Sequence, residues 1–429
     1  MAEDRQESSA YFIHSLEVRK LWGYRDLELT FNKDINVIIG PNASGKTTIL
    51  NLLRFILTVD FPSLYEIAFG EVVIHLKSFN GGYTRTVKVT STESGLCFNV
   101  SGQLFDVERE FIVPRYISIR RRPFLAQPKI RELTEILRDL VPAVWLPVSR
   151  RLPIPEEEEE EYRVPRRLQL ESVDMRLREL LEELSRYRLT LDAKLSERYR
   201  EFENKVLQLI LYSKQHDRIE SLSVTPPTQE DKDQLLRAFE VAGLLDQQTR
   251  TRINEQFSAA DEAVNRIAKS KAGKEVLHLT DLFVIPLIER TKSMVQLSRK
   301  LEEDREILFA PLRRYEAIAN SFIKPKIMRV EDNGHLSIKT LSPKQELDPY
   351  LLSSGEKQLL ILLTQALLWE DRPVVYVVDE PELSLHVDWQ SKFLSSLLEL
   401  GGQIQIIVAT HSPDIVGPFR DKVIDLGSK

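Results

Sequence analysis

Apolar and polar positions follow two different rhythms along this chain. Through Val107 the period is two. Phe12–Arg19 and Leu27–Phe31 alternate as a predicted strand pair, and Ile35-Asn36-Val37-Ile38-Ile39 is the apolar run of a buried strand. A helix is predicted over 47–58. Glu71–Phe79 and Tyr83–Thr90 then flank Asn80-Gly81-Gly82, and Leu96–Val100 and Gln103–Val107 flank Ser101-Gly102, predicting an antiparallel lobe of two hairpins after that helix. Val144–Val148 is a further short strand. From Leu170 the rhythm changes. Val173, Leu177, Leu180, Leu184, Tyr187 and Leu191 follow at steps of three and four, the seam of a coiled coil. Steps of four to Leu195 and Tyr199 make a stutter before Phe202, Val206 and Leu209 resume the seam. A helix of roughly 50 residues would reach on the order of 75 Å. Pro226-Pro227 is the expected end of this arm. A second set returns through Ile253, Phe257, Ala260, Val264 and Ile267, then from Leu282 to Phe322, with Pro286 and Pro311 as expected kinks. A helical hairpin with further helices and a compact helical domain both fit this pattern. Strand rhythm returns at Lys326–Val330 and Leu336–Thr340 around Glu331–His335.

The order strand, helix, strand predicts an α/β head with an antiparallel β lobe and an inserted helical or coiled-coil domain. The expected boundaries are 1–152 for the first half of the head, 153–323 for the insertion and 324–429 for the second half. A 42% apolar and 29% charged composition is that of an ordinary globular protein. The single cysteine, Cys97, excludes an intramolecular disulfide framework and a multi-cysteine zinc site and fits a reducing cytoplasm. The N-terminus is polar, without signal-peptide character, and no apolar run approaches the roughly 20 residues that cross a bilayer. Net charge is −6, so nucleic acid would need local basic patches such as Arg120-Arg121-Arg122 and Arg150-Arg151. The run Glu156–Glu161, bounded by Pro153, Pro155 and Pro165, reads as an exposed loop.

Candidate chemistry concentrates in three places. Gly40-Pro41-Asn42-Ala43-Ser44-Gly45-Lys46-Thr47 fits the phosphate-loop pattern G-x-x-x-x-G-K-[ST], between a predicted strand and the helix opening at Thr48. Backbone N–H groups and the helix N-terminus would cradle phosphates, Lys46 would reach the β- and γ-phosphates of ATP, and Thr47 would ligate Mg²⁺. Leu352-Ser353-Ser354-Gly355-Glu356 opens an apolar helix and offers N–H groups and a hydroxyl to an anion. Val374–Val378, an interior parallel strand by its composition, ends in Asp379 and Glu380. At that rim Asp379 suits the Mg²⁺ shell and Glu380 the attacking water. Gln405–Ala409 is another buried strand, and His411 just beyond it suits γ-phosphate sensing.

In this order the motifs resemble the ABC-type ATPase heads of the SMC, RecF and overcoming-lysogenization-defect (OLD) families. Lys20-Leu21-Trp22-Gly23-Tyr24-Arg25 is similar to the N-F-R-G-Y segment of their first strand. The resemblance covers residues 11–60 and 340–415 by motif and the insertion by topology alone. It implies ATP and Mg²⁺ as cofactors, and a homodimer or higher homo-oligomer of heads with two nucleotides between Gly40–Thr48 of one chain and Ser353, Ser354 and Gly355 of the other. Asp379 becomes the Walker B acid, Glu380 the catalytic glutamate and His411 the switch histidine, with Lys46 the catalytic lysine. Ser384-Leu385-His386 becomes the D-loop. Trp22 stands where an arginine often touches nucleotide, either stacking on adenine or packing in the core. No glutamine marks the end of the antiparallel lobe, where Ser149, Arg150 and Arg151 return, so the sensor there stays open. The sequence runs only a short way past His411, which leaves no room for the nuclease module usual in OLD proteins. The resemblance then implies a separate effector, a nuclease or toxin in trans, as in PARIS-type or Septu-type anti-phage systems. A DNA-repair ATPase of RecF type is the alternative, and a non-catalytic scaffold is disfavoured by the intact Lys46, Asp379 and Glu380.

Overall fold

The computed structural model describes residues 10–93, 95–108, 128–146, 172–209, 211, 226–241, 243–271, 279–343, 345–383 and 385–427. Outside this set lie Arg120–Arg122, Ser149–Arg151, Glu156–Glu161 with their flanking prolines, Leu170 and Ser384. Two units divide the chain, 1–185 with 314–429, and 186–313.

Elements are numbered in chain order. In the first unit β1 (Tyr11–Leu21) and β2 (Arg25–Thr30) pair antiparallel, as their alternation predicts. The hairpins also form: β4 (Glu71–Ser78) with β5 (Thr84–Thr92), and β6 (Gly95–Val100) with β7 (Gln103–Glu108). The expectation of a lobe made only after the first helix needs correction. β1 is long enough to offer both edges, so the sheet runs β2-β1-β4-β5-β6-β7 and includes the strands before the phosphate loop. Basic side chains on this sheet pair with acids, Arg19 with Glu17 and Asp26, and Lys88 with Glu71.

A second sheet is wholly parallel. Its strands are β3 (Ile35–Ile39), β8 (Ala143–Leu146), β12 (Val374–Asp379), β13 (Ile404–Ala409) and β14 (Val423–Asp425), in the order β14-β3-β13-β12-β8. Every residue of β13 is buried and only Asp379 of β12 is not, which is why these strands read as unbroken apolar runs. Helix α1 (Lys46–Leu57) lies in the core that joins the two sheets. It buries Ile49, Leu50, Leu52, Leu53, Ile56 and Leu57, more of its circumference than a single apolar stripe needs. Leu16, Ile74 and Phe98 of the antiparallel sheet and Val377 and Ile407 of the parallel sheet share that core. After the short helix α2 (Phe61–Tyr65) comes α3 (Pro128–Leu140), an element that the strand rhythm around it does not predict. Ile130, Leu133 and Leu137 bury at helical spacing against the same core. A small sheet of β9 (Lys326–Val330), β10 (Leu336–Thr340) and β11 (Glu346–Leu347) precedes α8 (Ser354–Leu368), and α9 (Val387–Leu400) and α10 (Pro413–Val416) complete the unit.

Helix α4 (Ser172–Gln208) carries the predicted seam, with Leu177, Leu180, Leu184, Leu191 and Phe202 buried. Among the described residues it ends at Gln208, before Pro226-Pro227, and spans about 55 Å at 1.5 Å per residue. The prolines instead precede α5 (Gln229–Val241). Next come α6 (Gln247–Lys271) and α7 (Leu279–Phe322), and both Pro286 and Pro311 lie inside α7. The second unit has a true helical core. Leu235, Ile253, Phe257 and Val295 cluster from α5, α6 and α7, and Phe202, Ala238 and Leu301 from α4, α5 and α7. The insertion is helical, as both readings of its pattern expect. Among the described residues no helix is long and apolar enough to cross a membrane.

Candidate nucleotide site

Parallel pairing brings three strand ends to one rim. Ala409 pairs with both Asp379 and Ile38, and Ile39 pairs with Asp425. The segments that leave β3, β12 and β13 are therefore juxtaposed: the phosphate loop, Asp379-Glu380 and Thr410-His411. This is the rim where open α/β sheets take ligands.

Gly45 is the N-cap of α1 at φ +97, with no side-chain cap, and no acid lies in the first turn. The helix thus leaves its N-terminal N–H groups and positive dipole end to an anion. Pro41, Asn42 and Ala43 form the exposed apex, and Ser44 N–H closes the turn onto Pro41 C=O at 3.2 Å. Lys46 is 5% exposed, and its Nζ donates to Gly40 C=O at 2.9 Å and Pro41 C=O at 3.2 Å. Ser44 Oγ is buried without a hydrogen-bond partner, an orphaned polar atom of the kind an anion satisfies. Thr48 is half-buried in the first turn of α1.

Thr47 Oγ1 donates to Asp379 Oδ1 at 3.4 Å, joining the loop to the end of β12. Burial pushes the Asp379 carboxyl above the ordinary carboxylate range; Glu380 and Glu382 push it the same way, against the Thr47 hydroxyl and Lys46. The hydroxyl and carboxylate together make a hard-oxygen pair of the type Mg²⁺ selects, so the donor set fits that ion. Glu380 stands at φ +48, a left-handed conformation rare for a glutamate, held by its N–H to Ala409 C=O at 2.8 Å. Its Oε1 lies 4.0 Å from His411 Nε2.

Two groups missed in the sequence hold this rim together. Glu382 accepts from Thr410 Oγ1 at 2.7 Å and from His411 N–H at 2.6 Å, tying the turn after β12 to the turn after β13. Its signal is the third acid of Asp379-Glu380-Pro381-Glu382. Arg25 donates to Ser44 C=O at 2.8 Å and Leu426 C=O at 3.0 Å, fastening the phosphate loop to the end of the last strand. Trp22, the residue singled out in that opening segment, packs against the core, and its Cη2 lies 2.9 Å from where a Cβ on Gly45 would be.

Ser353, Ser354 and Gly355 head a different helix. Ser353 caps α8 through a capping box with Glu356, and Ser353 and Ser354 are exposed. Leu385 is buried and His386 caps α9.

The profile of the AAA ATPase domain family matches residues 12–416. A curated relative, the "Retron Vc95 probable ATPase" of Vibrio cholerae serotype O1 biovar El Tor, is 25% identical over 139 residues, 29% of this chain and 26% of the relative. The match thus spans about a quarter of that relative's length. Solved structures that align include an Smc head domain with an extended coiled coil from Pyrococcus furiosus, bound to the C-terminal domain of ScpA, at 14% identity and TM-score 0.44 over 97% of this chain and 93% of that one. An Smc head with coiled coil and joint from Pyrococcus yayanosii aligns at 13% identity and TM-score 0.41 over 97% and 95%.

Proposed function

Because the chain belongs to the AAA ATPase domain family, we propose that it binds and hydrolyses ATP between two paired heads, and uses that cycle to hold or release a separate effector. The observation that carries this reading is the single rim on which Lys46, Thr47, Asp379, Glu380 and His411 meet, with Thr47 and Asp379 in hydrogen-bond contact. Lys46 and the N–H groups of the loop bind the triphosphate, and Ser44 Oγ gains the partner it lacks. Thr47 and Asp379 would hold Mg²⁺, which supplies neutralising charge for the β- and γ-phosphate oxygens when bound. Glu380 orients water for in-line attack and takes its proton, and His411 holds the far side of the γ-phosphate. Ser353–Gly355 of a second copy would close the pocket by offering N–H groups and hydroxyls. Leu351, at 76% exposure before that motif, and Leu383 and Val387, at 70% and 61% after the Walker acids, supply apolar surface suited to such a contact.

A role in anti-phage defence with an effector nuclease or toxin in trans extends this reading. It leans on the partial similarity to the retron ATPase and on the helical unit as a docking body. The DNA-repair alternative rests on the arginine clusters outside the described residues.

Native mass measurement with and without Mg-ATP tests the reading. Glu380→Gln is expected to trap an ATP-loaded dimer, Lys46→Ala to stay monomeric and lose tight ATP binding, and wild type to cycle. Ordinary turnover by Glu380→Gln would remove Glu380 from catalysis. Co-purification of a nuclease or toxin encoded beside this chain, released on ATP addition, is the expected sign of the effector.

A further inference from the structure

The signature helix carries a charge that its proposed task should not tolerate. Glu356 is the third residue of α8 and completes the capping box: Ser353 N–H and Ser353 Oγ both donate to its Oε2, at 2.9 and 2.8 Å, and Glu356 N–H donates to Ser353 Oγ at 3.3 Å. A carboxylate here stabilises the helix end. It also stands one hydrogen bond from the hydroxyl meant to meet a triphosphate, and like charges brought together at an interface weaken association.

The fold supplies a counter-charge from elsewhere in the chain. Lys326, at the start of β9, places Nζ 2.6 Å from Glu356 Oε1, on the oxygen that Ser353 does not use. Both side chains are largely withdrawn from solvent, at 23% and 12% exposure. Burial acts to raise the Glu356 carboxyl, but Lys326 and the two Ser353 bonds outweigh it, so the group stays below its ordinary value and remains ionised.

We propose that Lys326 is a positioning residue of the composite ATP site: it neutralises Glu356, so that the Ser353–Gly355 motif presents no net negative charge to the triphosphate held by a second copy. The inference rests on the face-to-face reading above. Lys326 acts through Glu356, to which its ammonium is bonded. Because Glu356 also completes the capping box, the chain keeps a strong helix end while cancelling its electrostatic cost to dimerisation.

A charge cycle tests this in the Glu380→Gln background, where ATP-loaded dimers accumulate. The variants are Lys326→Met, Glu356→Gln and the two together, each read by fluorescent-ATP titration of dilute monomer and by dimer dissociation constant with Mg-ATP. Lys326→Met is expected to leave monomer affinity for ATP unchanged and to weaken the dimer about ten-fold or more. Adding Glu356→Gln removes the uncompensated charge and is expected to restore the dimer to within about three-fold of the parent. Loss of packing alone would not be rescued by a second substitution that further dismantles the pair. Parent-like dimerisation by Lys326→Met, or a double variant as weak as the single, overturns the role of Lys326. A parent that stays monomeric with Mg-ATP overturns the face-to-face reading itself, and this inference with it.

Discussion

Gln405→Met should cost this protein a large share of its stability without touching the nucleotide. Gln405 is fully buried in the otherwise apolar β13, yet its amide bonds to the other sheet. Oε1 accepts from Ile13 N–H at 2.8 Å, while Nε2 donates to Ile13 C=O at 2.7 Å and Asn32 C=O at 2.8 Å. The need arises because β2 pairs with β1 only from Ser15 onward, so Ile13 lies beyond the end of that ladder. One side chain does there what another strand residue would do. Methionine fills a similar volume and satisfies none of these groups. Asn32 C=O keeps Asn36 Nδ2 at 3.0 Å, which leaves Ile13 N–H and C=O as the main losses. At about 1–3 kcal/mol for each of the two stranded groups, the expected loss is roughly 2–6 kcal/mol, against a total of order 5–15 kcal/mol. For a unit of this size the melting temperature should fall by roughly 5–15 °C. Urea unfolding followed by tryptophan fluorescence reads it directly. Gln403→Met is the control: its exposed amide reaches Asn80 Oδ1 at 3.2 Å, and the change should stay within about 0.5 kcal/mol. A Gln405→Met loss no larger than that of the control would refute the argument that this amide joins the sheets.

Two further outcomes are expected. Gly45→Ala combines a left-handed φ of +97 with a Cβ 2.9 Å from Trp22 Cη2, so fluorescent-ATP affinity should drop about 30-fold or more; Trp22→Ala added to it should recover part of the loss, and unchanged binding by Gly45→Ala would disprove the close approach. Asp379→Asn should raise the nucleotide-free melting temperature by a few degrees while abolishing Mg-ATP hydrolysis. The sign comes from a carboxyl raised in the folded state, chiefly by burial: as pH rises from the ordinary carboxylate range through the raised value, the unfolded chain ionises first and folding loses stability. The gain from Asn should therefore shrink as pH falls, and a gain independent of pH would disprove it.

Features encoded locally are the ones legible in the sequence. The Asn80-Gly81-Gly82 and Ser101-Gly102 turns and the apolar runs of β3, β12 and β13 need only neighbouring residues to declare themselves, and each forms where expected. The end of the α4 arm differs from expectation because proline marks where a helix must stop, whereas among the described residues α4 ends earlier, at Gln208. Helix α3 escapes notice although Ile130, Leu133 and Leu137 announce it, because its 13 residues lie between two stretches without clear periodicity. The cross-chain ties are illegible in principle. Arg25 with Leu426, Gln405 with Ile13, and Lys326 with Glu356 join residues that no local pattern relates.

The three acids of Asp379-Glu380-Pro381-Glu382 show how identical chemistry is divided by environment. Asp379 ends a buried strand facing Thr47, so desolvation makes its charge expensive without a cation to meet it. Glu380 comes next at positive φ, which turns its side chain out of the strand's alternation, and it is 34% exposed, facing His411. Water can reach that carboxylate, as a group that orients an attacking water requires. Glu382 has both oxygens taken, by Thr410 Oγ1 and by His411 N–H. Those two bonds commit it to fixing geometry. Losing it would therefore move His411 relative to Glu380 without removing either, so a turnover defect in Glu382→Gln should appear with ATP binding intact, separating the rim's alignment from its affinity.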